Sequence, residues 1–339
     1  MSTVNPAFEE AIKVTPLGGN KYSAHLSPEW CIGTVPHGGY TTSVIYKLVL
    51  THFAHAHPDR YKTPASPISM QLSFLRRTAS GPATLEVEDV KLGARTSTIH
   101  IKLLQPSEKK PGTQDLMVAG YVTVSPPEAE VGISAVTGWK PHPPPPAGSR
   151  ADGSVDLAKL GRTGVDGVWK KLNPPFQEFR KAATQIELYG PGGGETQQKR
   201  TGNMGIDQWS RFRPGGDRNG RWTDAAVAFL IDMFPMALDG FDNVSAQAAA
   251  KEKGTSVAEQ RAKFWYPTVT LNVDMKKHLP AEGVEWLYSR IVTKVVRDGR
   301  TDLEVTILDE AGEVVALSTQ VGLVVSASRN VGTRKLDKL

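Results

Sequence analysis

The chain has 339 residues, of which 39% are hydrophobic, so it is long enough for two ordinary domains or one large domain. Its formal net charge is +5, yet Lys and Arg are spread along the chain and matched locally by Asp and Glu. Such spread charge is weak support for a nucleic-acid partner and fits a small anionic substrate equally well. We therefore expect a soluble globular protein that binds no nucleic acid.

The cysteine content and the ends of the chain bear on the cellular compartment. The single cysteine, Cys31, excludes an internal disulfide and any zinc site built from several cysteines, and we expect it to be a small core residue. No run reaches the roughly 18 uninterrupted apolar residues that a membrane helix needs, and the start lacks the features of a secretory signal. The last residues, Asp337-Lys338-Leu339, carry an acid where a peroxisomal signal has a small residue. A cytoplasmic protein without a membrane partner is expected.

The same order of elements is predicted twice along the chain. In the first half, residues 38–53 space their apolar side chains as an amphipathic helix does, and strand-like runs follow at 68–76, 83–92, 97–104 and 116–125. In the second half, a helix is predicted over 223–233, with strands at 266–276, 284–296, 302–309 and 314–325. The connections between strands are too short for crossover helices, so both sheets are predicted to be antiparallel.

The two halves also match letter by letter. Residues 67–77 (PISMQLSFLRR) lie over residues 267–277 (PTVTLNVDMKK), which indicates an internal repeat of one helix-and-sheet unit. We predict an α+β protein with a first domain at 1–126, a second domain at 181–328 and a tail at 329–339. The Pro- and Gly-rich segment 127–180 is predicted to be the linker.

Four stretches carry a resemblance to a known family, namely 30–40 (WCIGTVPHGGY), 73–83 (SFLRRTASGPA), 265–270 (WYPTVT) and 314–323 (VVALSTQVGL). In their order and spacing over two repeats, they resemble the thioesterase-like superfamily that includes the type II acyl-CoA thioesterases. The resemblance implies a double hotdog, in which each half wraps a sheet around a long helix. It also implies an acyl-CoA or other acyl thioester as the substrate.

The stretch 228–235 (AFLIDMFP) places one acid, Asp232, in an apolar run. Asp232 is predicted to lie about two and a half turns into its helix, too far along to cap it, where burial should raise its pKa. Hydrolysis of a thioester needs a base that takes a proton from water, and Asp232 is the natural base. The structural alternative is a buried Asp bonded to a neighbouring backbone or hydroxyl group.

The resemblance implies two partners for this acid. In the family, an Asp on the second helix, a Thr or Ser on the next strand and a Gln on the last strand orient the attacking water. The matching positions are Asp232, Thr270 and Gln320. Thr268 lies two residues before Thr270 and is expected on the same face of the strand, so it is the alternate for Thr270.

The sequence Pro36-His37-Gly38-Gly39 opens the first predicted helix. Glycines allow a substrate to approach the backbone, and the free N–H groups of a helix start can hold an oxyanion, so His37, Gly38 and Gly39 are predicted to bind substrate. The alternative without a functional role is that Gly38 and Gly39 only form a tight turn where the helix meets the sheet. Because the first helix has Gly-Gly but no acid, whereas the second has the acid but no adjacent Gly-Gly, one site per chain is expected.

The sequence leaves two other hypotheses for the function open. The first is a hotdog dehydratase, hydratase or isomerase that acts on a polyketide-like or acyl intermediate and uses His37. The second is a non-catalytic acyl-binding or scaffold protein, favoured if Asp232 is held in a structural network with no adjacent cavity. We expect no metal and no redox cofactor, coenzyme A being part of the substrate. Cations at matched strand ends could meet its phosphates, and hotdog sheets often pair into homodimers or homotetramers; these cations are Arg76, Arg77, Lys276 and Lys277.

Overall fold

The computed structural model describes residues 4–174, 176–192, 204–234 and 264–330. The predicted tail therefore lies outside the described residues from position 331 onward. In the first half, the helices are α1 (Pro6–Ala11) and α2 (Gly38–Ala56). The strands are β1 (Val14–Gly18), β2 (Lys21–Leu26), β3 (Cys31–Ile32), β4 (Val35–Pro36), β5 (Ser66–Phe74), β6 (Gly81–Leu92), β7 (Ser97–Pro106) and β8 (Gln114–Ser125).

The second half follows the same plan. Its described helices are α3 (Leu157–Thr163) and α4 (Asp224–Leu230). The strands are β9 (Val165–Asp166), β10 (Trp169–Leu172), β11 (Ile186–Pro191), β12 (Met204–Phe212), β13 (Phe264–Trp265), β14 (Thr268–Met275), β15 (Trp286–Thr293), β16 (Val296–Arg297), β17 (Arg300–Leu308), β18 (Val314–Leu323) and β19 (Val325–Ser326).

One 15-stranded sheet runs through both halves, in the order β1-β2-β6-β7-β8-β5-β14-β18-β17-β15-β12-β11-β10-β9, with β16 paired to β17. Ten of these strands form two sets of five in mirror-image order about the junction between the halves. The set β2-β6-β7-β8-β5 belongs to the first half, and the set β12-β15-β17-β18-β14 belongs to the second. Each described pairing in it is antiparallel, and β5 and β14 join the halves edge to edge. The predicted repeat and the antiparallel sheets are confirmed.

Helix α2 is held by its apolar stripe, as the sequence pattern predicts. Val44, Ile45, Leu48 and Val49 are fully buried against the first-half sheet and α4. Ser43 Oγ donates to the Ala225 carbonyl at 2.8 Å, so the two helices approach closely near their starts. This contact brings the beginning of the first repeat's helix beside the second repeat's helix.

The segment expected to be a linker contains more structure than predicted. Helix α3 and strands β9 and β10 lie within it, and β10 pairs with β11, which extends the second-half sheet. Trp169 donates its indole N–H to the Pro146 carbonyl at 3.1 Å, and Arg290 Nη1 donates to the Pro143 carbonyl at 2.6 Å. The proline-rich stretch therefore packs over the outer face of the second-half sheet.

Helix α4 ends earlier than predicted. Its last helical residue is Leu230. A tighter turn follows, in which the N–H of Met233 donates to the carbonyl three residues earlier, that of Leu230, at 2.9 Å. Phe234 precedes a proline in the sequence, and that position disfavours helical backbone. Asp232 consequently lies in the turn just beyond the helix rather than within it.

Two smaller expectations concern the core and the membrane. Cys31 is a buried free thiol whose pKa burial raises to about 12, as expected for a core residue. Among the helices that the structure describes, none is long and apolar enough to cross a membrane.

Candidate functional site

Asp232 is the centre of the site, and only 3% of its surface is exposed. Thr268 Oγ1 donates to its Oδ1 at 2.8 Å, and the N–H of Gly39 donates to its Oδ2 at 2.8 Å. A carboxylate has about four lone-pair sites, so each oxygen can still accept from a water. The acid of the second repeat is therefore held by the helix start of the first repeat.

His37 caps helix α2 and faces the same acid. Its Nδ1 accepts from the Gly39 N–H at 3.1 Å, which leaves the ring proton of the neutral form on Nε2. That Nε2 lies 3.7 Å from Asp232 Oδ2, longer than a hydrogen bond. The Nε2–H of His37 thus faces Asp232 without a strong bond to its carboxylate.

Gly38 and Gly39 are needed because a side chain at either position would collide with its neighbours, and not because the backbone turns there. A Cβ on Gly38 would lie 2.5 Å from Asp232 Oδ2, and one on Gly39 would lie 2.4 Å from the Phe229 carbonyl oxygen. Neither residue has a positive φ angle. The glycines let α2 and the end of α4 approach until the Gly39 N–H reaches the carboxylate.

Thr268, and not Thr270, contacts the acid. A bulge between the two residues shifts the pairing, so that Thr268 faces Gly322 while Thr270 faces Val321 on the neighbouring strand. Thr270 then alternates with the buried Leu271 and lies on the outer face of the sheet. The expectation that both threonines share one face is wrong for this reason, and the alternate position is the one beside Asp232.

Gln320 is buried and makes no hydrogen bond with the carboxylate of Asp232. Its Nε2 donates to the Ile231 carbonyl at 2.9 Å, one residue before the acid. Gln208 does the same one residue after the acid, with Nε2 donating to the Met233 carbonyl at 3.4 Å. Sequence reasoning missed Gln208, because its neighbour Asp207 interrupts the apolar alternation that would mark the strand. The two amides hold the turn that presents Asp232.

A cavity of about 390 Å³ opens onto the acid. Asp232, His37, Gly38 and Thr268 line it together with apolar side chains, among them Phe74, Met233, Phe234, Trp265 and Leu323. Asp232 is the one acidic side chain among the described residues of the lining, which also includes four arginines: Arg76, Arg77, Arg180 and Arg329. The cavity thus combines an apolar body, one acid and several cations.

The four cations singled out from the sequence divide into two pairs. Arg76 and Arg77 line the cavity. Lys276 does not line it and lies 3.5 Å from Asp274 Oδ2, while Lys277 bonds Asp309 at 2.6 Å and also contacts Glu313. Only the arginine pair is placed to meet a substrate that enters toward Asp232.

Burial changes the proton affinity of both titratable groups in the site. Burial raises the pKa of Asp232 to about 7, although the hydrogen bonds from Thr268 and Gly39 oppose it. Burial lowers the pKa of His37 to about 4, with Asp232 opposing it in part. Near neutral pH, Asp232 exchanges a proton readily while His37 stays neutral, which suits a general base beside a neutral donor.

A second cluster of titratable groups lies toward the other end of α2. His52 Nε2 and His57 Nε2 bond the two oxygens of Asp89 at 2.9 and 3.0 Å, and Tyr22 bonds His52 Nδ1 at 2.8 Å. His52, His57 and Asp89 each offer an atom that can ligate a metal, and these atoms lie close enough together to share one ion. His52 is roughly 22 Å along the helix from His37, so the cluster is separate from the cavity. The expectation of a protein without a metal stays a prediction.

Models of a known protein family match both halves of the chain. A model of the acyl-CoA thioesterase N-terminal domain matches residues 26–125, and a model of the acyl-CoA thioesterase C-terminal domain matches residues 160–324. The thioesterase-like protein TwmA of Talaromyces wortmannii is 31% identical over 349 residues, spanning 96% of this chain and 94% of TwmA.

Solved structures share the fold at lower identity. A hot dog fold protein of unknown function from Alicyclobacillus acidocaldarius aligns over 95% of this chain and 99% of its own, with a TM-score of 0.63 and 18% identity. The acyl-CoA thioesterase II TesB2 of Mycobacterium marinum aligns over 97% and 100%, with a TM-score of 0.55 and 18% identity. The chain therefore belongs to the acyl-CoA thioesterase domain family and has the double hotdog fold.

Proposed function

We propose that the protein hydrolyses an acyl-CoA thioester to the free acid and coenzyme A by direct attack of water, with Asp232 as the general base. The observation that carries the proposal is a buried acid with a pKa of about 7 that lines a cavity. A base is most effective when its pKa lies near the working pH, because it is then largely ionised and still accepts a proton. Membership of the thioesterase family supports the same reaction class.

In this mechanism, ionised Asp232 accepts a hydrogen bond from a water in the cavity and takes its proton as the water attacks the thioester carbonyl. The C–S bond of the tetrahedral intermediate then breaks, and Asp232 returns the proton to the departing coenzyme A thiolate. Thr268 donates to Asp232 Oδ1, so it fixes the orientation of the carboxylate, and its oxygen can accept from the same water. Gln320 acts through the Ile231 carbonyl and is a positioning residue. The reaction uses no metal and no redox cofactor.

The developing oxyanion needs its own donors. The Gly39 N–H already bonds Asp232 and His37, so it is engaged in holding the base. Among the described residues, no bond is found for the Gly38 N–H, which opens α2 and lines the cavity. We assign the oxyanion to the Gly38 N–H and the Nε2–H of His37, in place of Gly39.

The cations of the cavity support a substrate with phosphate groups. Arg76 is exposed, donates to the Leu116 carbonyl at 2.8 Å and lines the cavity near Arg77. Guanidinium groups pair well with phosphate, and they attract an anionic substrate toward a cleft. Coenzyme A carries such phosphates, so we assign this side of the cavity to it.

The test is release of free thiol from short, long and aromatic acyl-CoA esters by the wild-type protein, with the mass of each product recorded. We expect thiol and free acid from at least one ester, and a higher KM for the matching N-acetylcysteamine thioester, which has no phosphates. Absence of thiol from every ester would contradict the proposal. Equal KM values for the acyl-CoA ester and the N-acetylcysteamine thioester would contradict only the assignment of this side of the cavity to coenzyme A.

A second candidate function is favoured by the closeness of His37 and Asp232, whose Nε2 and Oδ2 atoms lie 3.7 Å apart. Hotdog dehydratases and hydratases often use such a pair on an acyl intermediate. The product masses separate the two reactions, because a dehydratase removes water from a hydroxyacyl ester and releases no thiol. A non-catalytic binding role would be favoured if Asp232 were held in a structural network with no adjacent cavity, and Asp232 lines a cavity.

A further inference from the structure

The end of α2 that is opposite His37 carries a second group of titratable side chains. His52, His57 and Asp89 converge there, and one potential ligand atom of each lies within 4.8 Å of the others. Among the described residues, no other three or more His, Cys, Asp or Glu side chains come together in this way. We call these three residues the His–Asp cluster. The proposed hydrolysis uses none of them, so their convergence requires a separate explanation.

The end of α2 brings the two histidines together. In a regular helix, residues five apart point about 140° away from each other, so His52 and His57 would not meet. Helix α2 ends at Ala56, and His57 has φ −135° and ψ 49°, outside the helical region. Pro58 follows His57 and disfavours helical backbone at that residue. The two imidazole rings consequently lie 5.2 Å apart from centroid to centroid.

A bulge in strand β6 lies at the third member of the cluster. The pairing of β6 with β7 shifts between Asp89 and Lys91, and a bulge of this kind redirects the side chains beside it. Asp89 Oδ1 lies 2.9 Å from His52 Nε2, and its Oδ2 lies 3.0 Å from His57 Nε2. Each histidine therefore faces its own oxygen of a single carboxylate.

The cluster has a buried side and a side that is open to solvent. His52 is fully buried, and the Tyr22 hydroxyl bonds its Nδ1 at 2.8 Å. A histidine that ligates a metal through Nε2 carries its proton on Nδ1 and donates it to an outer partner, and the Tyr22 oxygen can accept it. The side chains of His57 and Asp89 are 19% and 21% exposed, so an ion can reach the cluster from solvent.

Hydrogen bonding alone accounts for only part of this arrangement. One bond to Asp89 is enough to satisfy the Nε2 group of the buried His52, so a structural network does not require His57. Two imidazoles and one carboxylate are ligands that zinc accepts. The spacing of the two histidines, with four residues between them, also lies within the range found in zinc sites.

We infer that the His–Asp cluster binds one zinc ion through the Nε2 atoms of His52 and His57 and the carboxylate of Asp89, with water in the remaining coordination positions. Zinc lies about 2.0–2.2 Å from such ligands, and small side-chain rotations bring the three groups around one ion. The ion links the end of α2 to strand β6 and stabilises the first half of the chain. It lies roughly 22 Å along α2 from His37, so it takes no part in the proposed hydrolysis.

The test uses the full-length protein, freed of metal with a chelator and titrated with zinc chloride in a calorimeter. One zinc ion should bind per chain. The melting temperature should rise by roughly 3–6 °C when free zinc is about 100-fold above Kd, because the ion binds only the folded chain. Magnesium chloride is the control, since magnesium prefers oxygen ligands and should give no rise. Absence of saturable zinc binding, or an equal rise with magnesium, would overturn the inference.

Variants locate the ion at the cluster. His57→Gln and Asp89→Asn should each weaken zinc binding by more than the roughly 10- to 100-fold that is typical of losing an outer partner of a metal ligand. His55→Gln is the matched control, because His55 is exposed on the same turn of α2 and should leave the affinity for zinc unchanged. Melts of the metal-free variants show whether each one folds, and the folded variants decide the outcome. Equal losses in His55→Gln and His57→Gln would place zinc on the exposed helix surface and overturn the inference.

X-ray absorption at the zinc edge identifies the ligands directly. The zinc-loaded protein should show nitrogen and oxygen neighbours at about 2.0–2.2 Å, together with the outer-shell scattering of two imidazole rings. A sulfur neighbour at about 2.3 Å would place the ion at Cys31, the single cysteine of the chain, and would overturn the inference. A spectrum without imidazole scattering would overturn it as well.

Discussion

At the residue scale, the candidate site is centred on one acid, Asp232, whose burial raises its pKa to about 7. Asp232 was marked in the sequence by its apolar neighbours, and the structure places it at the cavity with two donors. The sequence could not distinguish Thr268 from Thr270, because the bulge that separates their faces depends on how β14 pairs with β18. It also could not show that Gly39 bonds the acid, since that contact joins the two repeats.

Thr268→Val should lower kcat by roughly 10- to 100-fold, because the variant removes the donor that orients the base. The bond from Thr268 also lowers the pKa of Asp232, so its loss should move the pH of half-maximal activity upward. Thiol-release kinetics across a pH series measure both effects. Thr270→Val is the matched control and should stay near wild type; the reverse order of effects would contradict the assignment.

The raised pKa of Asp232 also predicts how stability depends on pH. The unfolded chain ionises this group near its ordinary value of 3.8, whereas the folded protein ionises it near 7. The folded state therefore loses stability as pH rises between these values, by on the order of 4 kcal/mol in total.

Asp232→Asn should consequently be stabilising, with an advantage in melting temperature that grows by roughly 5 °C between about pH 5 and about pH 8. Thermal melts of both proteins at the two pH values measure this difference. The exposed Asp59 supplies the control, since Asp59→Asn should give a difference that is flat with pH. An advantage that stays flat between the two pH values would mean that Asp232 is charged throughout.

At the element scale, the close crossing of α2 and α4 decides whether the site forms. Most strands of the two repeats were predictable because their apolar residues alternate. Strand β12 was missed, since its buried Asp207 and Gln208 hide the alternation. Proline and glycine in the segment 127–180 predict a linker, whereas its packing depends on side-chain contacts such as that of Trp169 with the Pro146 carbonyl.

Gly39→Ala tests the helix crossing. Its Cβ would lie 2.4 Å from the Phe229 carbonyl and 3.0 Å from Asp232 Cβ, so the helices must separate. We expect a loss of about 1–3 kcal/mol in the free energy of unfolding and a larger loss of kcat, because the Gly39 bond to Asp232 lengthens. Urea unfolding and thiol release measure the two effects. His55→Ala, on the exposed part of α2, should change neither quantity, and a Gly39→Ala protein that resembles it would refute this packing account.

At the scale of the whole molecule, the double hotdog builds one site from unequal halves. The first half supplies the helix start with His37 and Gly38, and the second supplies Asp232, Thr268 and Gln320. The internal repeat predicted this architecture. The pairing of β5 with β14 joins the two repeats, so it does not follow from the pattern within either one. Association into homodimers or homotetramers stays a prediction.

The most direct test of the account is the pH dependence of thiol release from one good acyl-CoA substrate, compared between wild-type and Asp232→Asn protein. The wild type should show kcat/KM rising with pH through about 7, because the base must be ionised, with no second transition from His37 above about pH 5. Asp232→Asn should lose nearly all activity at every pH. Undiminished turnover in Asp232→Asn, with the wild-type pH profile retained, would show that Asp232 is not the base.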